Sequence, residues 1–141
     1  MTLESEFETF RSLLDAPSPA VLATYRREGT VKLSPVWFRY MSGYFEVVIA
    51  DGDVKLKHLT RDPRATLLVF EASPPFRGVQ VSDEVEISHA NLDAIRRSIT
   101  SRYLDDQASK AFTESRTGNG VVVRIPDRSA KSWDLANITS T

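Results

Sequence analysis

No cysteine occurs in this chain, which excludes disulfides, thiolate metal sites and a cysteine nucleophile. Histidine is scarce: His58 and His89 are the only two, and neither sits among the three or four ligands a metal centre needs. Both read as structural. No apolar run approaches the ~20 residues that span a bilayer. The N-terminal MTLESEFETF is acidic and has no long apolar core, unlike a signal peptide. The expectation is a cytoplasmic protein with no membrane partner. An excess of either charge is also missing: 18 basic against 19 acidic residues give a net charge of −1. No overall field therefore draws the chain to nucleic acid or anionic lipid. There is no basic stripe interleaved with aromatics of the kind that holds single strands. The serines lack the G-x-S-x-G pattern of a nucleophile elbow, which argues against a hydrolase. Repeats and low-complexity segments are absent, and only the terminal NITST reads as loose.

What is present suits one domain over residues 1–141, long enough to bury roughly 70% of its unfolded surface. Ser5 to Asp15 is expected to be an amphipathic helix, with Phe7, Phe10, Leu13 and Leu14 on one face and a Ser5–Glu8 capping box. Pro17 and Pro19 end it. Ala20 to Tyr25 is a first strand, and Arg27-Glu28-Gly29 a hairpin turn. Val31 to Met41 reads as one long strand, turned at Ser42-Gly43 into Tyr44 to Ala50. Ala65 to Phe70 is apolar enough to be buried on both faces. After the loop Ser73 to Gly78, Val79, Val81, Val85 and Ile87 alternate with Gln80, Ser82, Glu84 and Glu86, with a bulge or exposed edge expected at Asp83. Glu84 and Glu86 read as solvent-facing, not as a catalytic pair. Asn91 opens a helix with Leu92, Ile95, Ile99 and Tyr103 on one face. A second helix, Asp105 to about Ser115, turns Ala108, Ala111 and Phe112 inward and ends at Gly118 and Gly120. Val121 to Ile125 and Ala130 to Leu135 are last strands, turned at Pro126-Asp127. Six to seven mostly antiparallel strands with three or four peripheral helices make an α+β fold, closed or nearly closed into a barrel.

The stretch Asp51 to Arg64, DGDVKLKHLTRDPR, carries the most chemistry. Asp53 is a plausible N-cap for a helix from Val54 to about Thr60, and Pro63 closes it at Asp62. A helix start exposes unpaired N–H groups, and Lys55 and Lys57 add charge, so an anion such as a cofactor phosphate is a candidate ligand. Lys57 reads as solvated. Arg61 and Arg64 read as partners of helix-end carbonyls or Asp62.

Several pieces in fixed order resemble a known family: Leu33-Ser34-Pro35-Val36-Trp37-Phe38; Lys55 with Leu59 and Arg61-Asp62-Pro63-Arg64; Pro75-Phe76-Arg77-Gly78 before an alternating strand; and Ser132-Trp133-Asp134-Leu135. Over Pro19 to Leu135 the chain resembles the pyridoxamine 5'-phosphate oxidase-like split barrels (FMN-binding split barrels). Within them it is most similar to the small flavin/deazaflavin-dependent oxidoreductases. The resemblance implies a homodimer with FMN or the deazaflavin coenzyme F-420 in the groove between two barrels. Ser34, Pro35 and Val36 would line the ring system. Ala50, Asp51, Gly52, Asp53, Val54 and Lys55 would hold the ribityl phosphate. Trp133 would pack beside the cofactor across the dimer interface. Arg77 and Arg124 would touch its phosphate or tail. Trp37 could touch cofactor or substrate, with dimer packing the alternative. No catalytic side chain and no metal are implied. The reaction would be hydride transfer to a small, flat, conjugated acceptor. The alternative is a split barrel that holds a flavin or tetrapyrrole without turnover. One feature departs from the family: Asp51 and Asp53 stand where firm phosphate clamps often carry Arg and Ser or Thr, and two carboxylates repel a phosphate.

Overall fold

The computed structural model describes residues 10–135. Phe7 and the Ser5–Glu8 capping box lie outside the described residues. Residues 10–15 form helix α1, with Phe10, Leu13 and Leu14 buried. Nine strands follow: β1 (Ala20–Tyr25), β2 (Val31–Val36), β3 (Arg39–Met41), β4 (Tyr44–Ile49), β5 (Arg64–Phe70), β6 (Gly78–Glu84), β7 (Glu86–Ser88), β8 (Val121–Pro126) and β9 (Lys131–Trp133). Helix α2 (Val54–Arg61) joins β4 to β5, and α3 (Leu92–Thr100) and α4 (Asp106–Glu114) lie between β7 and β8.

The strands form two sheets, ordered β2-β1-β5-β6-β9 and β3-β4-β8-β7. Every pairing is antiparallel. The inner faces of both sheets share one core. Leu22, Leu67, Val69, Val79 and Val81 of the first meet Phe45, Val47, Ile49, Val123 and Ile125 of the second. This is the split barrel that the family resemblance implies. A second, smaller cluster lies outside the four-stranded sheet, where Leu92, Ile95 and Ile99 of α3 pack on Val122 and Val48, with Trp37 and Tyr103 at its edge.

Among the described residues nine strands stand in place of the expected six to seven, because two long runs are each cut at the sheet boundary. The run Val31 to Met41 bends at Trp37-Phe38. β2 stays with β1, while β3 pairs with β4 in the other sheet. The run Val79 to Ile87 is cut at Val85, whose N–H leaves the ladder and donates to the Pro63 carbonyl at 2.8 Å. Asp83 makes no bulge: it stays in register opposite Ala65, and Arg128 pairs with its carboxylate at 2.7 Å. β5 is buried on one face only; Ala65, Leu67 and Val69 point inward, while Thr66 and Leu68 are half-buried. The inward face of α4 is Ser109 and Thr113 with half-buried Phe112, not Ala108 and Ala111, which are exposed.

The turns follow their chemistry. Ser42 and Gly43 both take positive φ, 53° and 81°, as a two-residue hairpin turn of the primed kind requires. Asp53 caps α2 by accepting the Lys55 N–H at 2.8 Å, and Asp62 ends it by donating its N–H to the His58 carbonyl at 2.7 Å. No described helix is long and apolar enough to cross a membrane.

Candidate functional site

A cavity of about 250 Å3 opens where the end of β2, the end of β4 and the start of α2 meet α3 and α4. Its apolar wall is built from Pro35, Val36 and Trp37 on one side and Ile99 and Phe112 on the other. Trp37 stacks on Tyr103 with ring centroids 5.0 Å apart and planes 8° off parallel, and Phe112 leans on it at 5.4 Å and 44°. Tyr103 is fixed in turn: its hydroxyl donates to the Ser18 carbonyl at 3.1 Å and accepts the Phe38 N–H at 3.3 Å. The tryptophan face is thus held by packing before any ligand arrives, a preorganised surface for a flat ring.

The polar wall carries charge. Lys55 Nζ lies 2.8 Å from Asp53 Oδ2, with the side chains 16% and 27% exposed. Burial alone would push the Asp53 carboxyl up. The hydrogen bonds from the Lys55 side chain and N–H outweigh it and hold the group below its ordinary value. The Asp53 carboxylate therefore fills the start of α2, and the Lys55 charge is already matched. Arg96 and Arg116 complete this wall. The Arg96 side chain is 5% exposed and donates to the carbonyls of Arg116, at 2.8 Å, and Asn119. Burial pulls its proton affinity down, Asp93 at 3.6 Å restores part of it, and neighbouring Arg116 lowers it again.

Arg96 thereby ties the loop after α4 to the barrel. The loop is also docked on the β4–α2 turn, since Asn119 Oδ1 accepts the Asp51 N–H at 2.9 Å. Its last residue, Gly120, has φ +110°, and a Cβ there would lie 2.5 Å from the Ile49 carbonyl oxygen. Only glycine fits. Gly120→Ala is expected to cost about 1–3 kcal/mol through strain and the displaced loop, read by urea unfolding. A change below about 0.5 kcal/mol would show that the loop is not held this way.

Among the sequence-predicted residues, Pro35, Val36, Trp37, Ala50, Asp53 and Lys55 line this cavity. Ser34 does not. It is buried on the inward face of β2 that it shares with Val36, and its Oγ has no hydrogen-bond partner among the described residues. Asp51 and Gly52 are exposed on the turn beside it, and Val54 is 45% exposed on α2. Arg77 and Trp133 lie elsewhere in the chain. Arg77 is paired with Glu71 at 2.7 Å, and Trp133 of β9 packs on Gly78 of β6. Arg124 joins Glu46 and Glu86 on the four-stranded sheet, at 3.2 Å from each. Arg96, Thr100, Phe112 and Arg116 form the half of the cavity that the motif reading does not supply. One signal for Arg96 is legible: it falls four residues after Leu92 and four before Thr100, on the buried stripe of α3. Among the described residues no cluster could hold a metal ion.

The sequence profile of the family described as Pyridoxamine 5'-phosphate oxidase matches residues 7–131. No curated protein matches the chain. Solved structures share the fold. The conserved hypothetical protein Rv2991 from Mycobacterium tuberculosis superposes with a TM-score of 0.77 at 23% identity, over 94% of this chain and 86% of that one. A protein named F420 reductase gives 0.68 at 21% identity, over 86% and 94%. HutZ, the heme storage protein from Vibrio cholerae, gives 0.67 at 14% identity, over 93% and 94%.

Proposed function

We propose, from the premise that this chain belongs to the pyridoxamine 5'-phosphate oxidase family, that it is an oxidoreductase holding coenzyme F-420 or FMN in the cavity at Trp37. The observation that carries this reading is the pairing, in one cavity, of a prebuilt aromatic wall with Lys55, Arg96 and Arg116. A tricyclic ring with an anionic tail asks for that combination, and the residues present fit it. Likeness in fold to an F420 reductase agrees with it. When bound, the cofactor would supply hydride transfer, so the chain itself needs no catalytic acid or base. The chain supplies the rest. Trp37 and Phe112 orient the ring and keep water from its face. Lys55 and Arg116 hold the tail, and Arg96 holds the loop that carries Arg116. A flat, conjugated acceptor then fits against the remaining open side.

A second copy of the chain belongs to this reading. At about 250 Å3 the cavity is smaller than the roughly 300–1,000 Å3 of sites that enclose such ligands. Beside it the edge strand β2 exposes Val31 at 43% and Leu33 at 66%, an apolar edge that needs cover. A homodimer would both enlarge the site and bury that edge. The single domain over residues 1–141 and a small-molecule redox substrate are parts of the same proposal.

The reading is tested by mixing the protein with reduced F-420 or reduced FMNH2 and a quinone, and following cofactor re-oxidation. Acceleration over the protein-free rate supports it, and none with either cofactor opposes it. Lys55→Ala is expected to weaken cofactor binding about tenfold. It removes a cation and leaves the Asp53 carboxylate unmatched in the cavity. Unchanged affinity by fluorescence titration would remove Lys55 from the site.

Non-catalytic holding of a flavin or tetrapyrrole has one observation on its side: the Asp53 carboxylate lines the cavity and opposes a phosphate. HutZ is a fold relative with heme storage in its name. None of the described cavity-lining residues is His, Met, Cys or Tyr, so an iron tetrapyrrole would draw its axial ligand from elsewhere.

A further inference from the structure

Arg116 is left with unused binding capacity at the charged end of the cavity. Its guanidinium sits 3.7 Å over the Phe112 ring. Nη1 donates to the Phe112 carbonyl at 3.1 Å and to Ser115 Oγ at 2.8 Å, while Nε and Nη2 donate to no described residue. No described carboxylate pairs with it, in contrast to Lys55 and Arg96. Its backbone is nevertheless fixed, because its carbonyl accepts from the buried Arg96 at 2.8 Å and from the Asn119 N–H at 2.9 Å. Two neighbouring guanidiniums, one of them buried, repel each other, and holding them together is favourable when an anion sits between or beside them. The same loop is tied to the β4–α2 turn through Asn119 and Asp51. Arg116 therefore stands next to the turn where the two aspartates replace the cation and hydroxyl common in the family.

We propose that the phosphate clamp of this chain has moved: Arg116, through Nε and Nη2, binds the phosphate of a planar cofactor seated against Trp37 and Phe112, and Arg96 is its positioning residue. This rests on the reading that the cavity holds such a cofactor. The clamp comes from the arm after α4 instead of the start of α2, which Asp53 has closed. Arginine suits this role because its planar fork engages two phosphate oxygens at once.

Binding of FMN and of riboflavin, the same ring without phosphate, tests it in the wild-type protein and in Arg116→Met and Arg116→Lys. The expected result is that wild type prefers FMN, and that Arg116→Met loses about tenfold or more of that preference with riboflavin affinity unchanged. Arg116→Lys retains part of it. The pair F-420 and its dephosphorylated chromophore should behave in the same way. Riboflavin binding doubles as the control for folding. An FMN preference that survives Arg116→Met would overturn the clamp while leaving the cofactor reading intact. Equal loss of FMN and riboflavin would also overturn it, since Arg116 would then act on the ring or the fold. Failure of the wild type to bind either cofactor pair would overturn the reading and the clamp together.

Discussion

Phe38→Ala is expected to lower stability by about 3–5 kcal/mol, the usual cost of deleting a fully buried aromatic side chain. Phe38 has no exposed surface and sits where the chain leaves one sheet and enters the other. Its ring lies 6.1 Å from that of Phe45, and the Arg102 guanidinium covers it at 4.7 Å. Its backbone is held as well: the N–H donates to the Tyr103 hydroxyl at 3.3 Å, and the carbonyl accepts from Arg102 Nη1. Deleting the ring opens a void between the sheets and removes one face of the Arg102 packing. Arg102 itself cannot collapse into that void, because it also donates to the Leu14 and Ala16 carbonyls. Urea unfolding at unchanged m-value is the check. A loss below about 1 kcal/mol would mean that the two sheets do not close over this residue.

Arg96→Leu is expected to cost about 2–3 kcal/mol and to weaken cofactor binding by tenfold or more. Leucine fills much of the space, and removing a buried charge recovers desolvation energy. Against that, two charge-assisted hydrogen bonds to the Arg116 and Asn119 carbonyls vanish, each contributing about 1.5–3 kcal/mol in ordinary cases. The loop they hold carries Arg116 and docks the Asp51 turn. Arg96→Lys keeps the charge but cannot serve both carbonyls in one plane, so it should restore stability more than binding. Full binding in a stable Arg96→Leu protein would show that the loop needs no such anchor.

The hairpins and caps were legible because they depend on local chemistry. β1 has the expected bounds, Ser42-Gly43 makes its turn, and Asp53 and Asp62 bound α2 within a residue of the expectation. The family resemblance was legible for the same reason, as short motifs in order, and the matched span covers most of the chain. The sheet crossings at Trp37-Phe38 and Val85 were not. Alternation of apolar residues continues through both bends, so a period of two cannot report that the hydrogen-bond partner has changed. The face of α4 was misread because its inward residues, Ser109 and Thr113, are small and polar, while the alanines that suggested a core face are exposed. Half of the cavity was hidden because Arg96, Phe112 and Arg116 reach Lys55 only through packing of elements far apart in sequence.

Titration of the purified protein with FMN and, separately, with F-420, following cofactor fluorescence, asks whether this cavity holds a planar cofactor with an anionic tail. Saturable binding of at least one of them is expected, with one cofactor per chain, weakened by Lys55→Ala. An unchanged signal with both, at cofactor concentrations far above that of the protein, would rule out such a site.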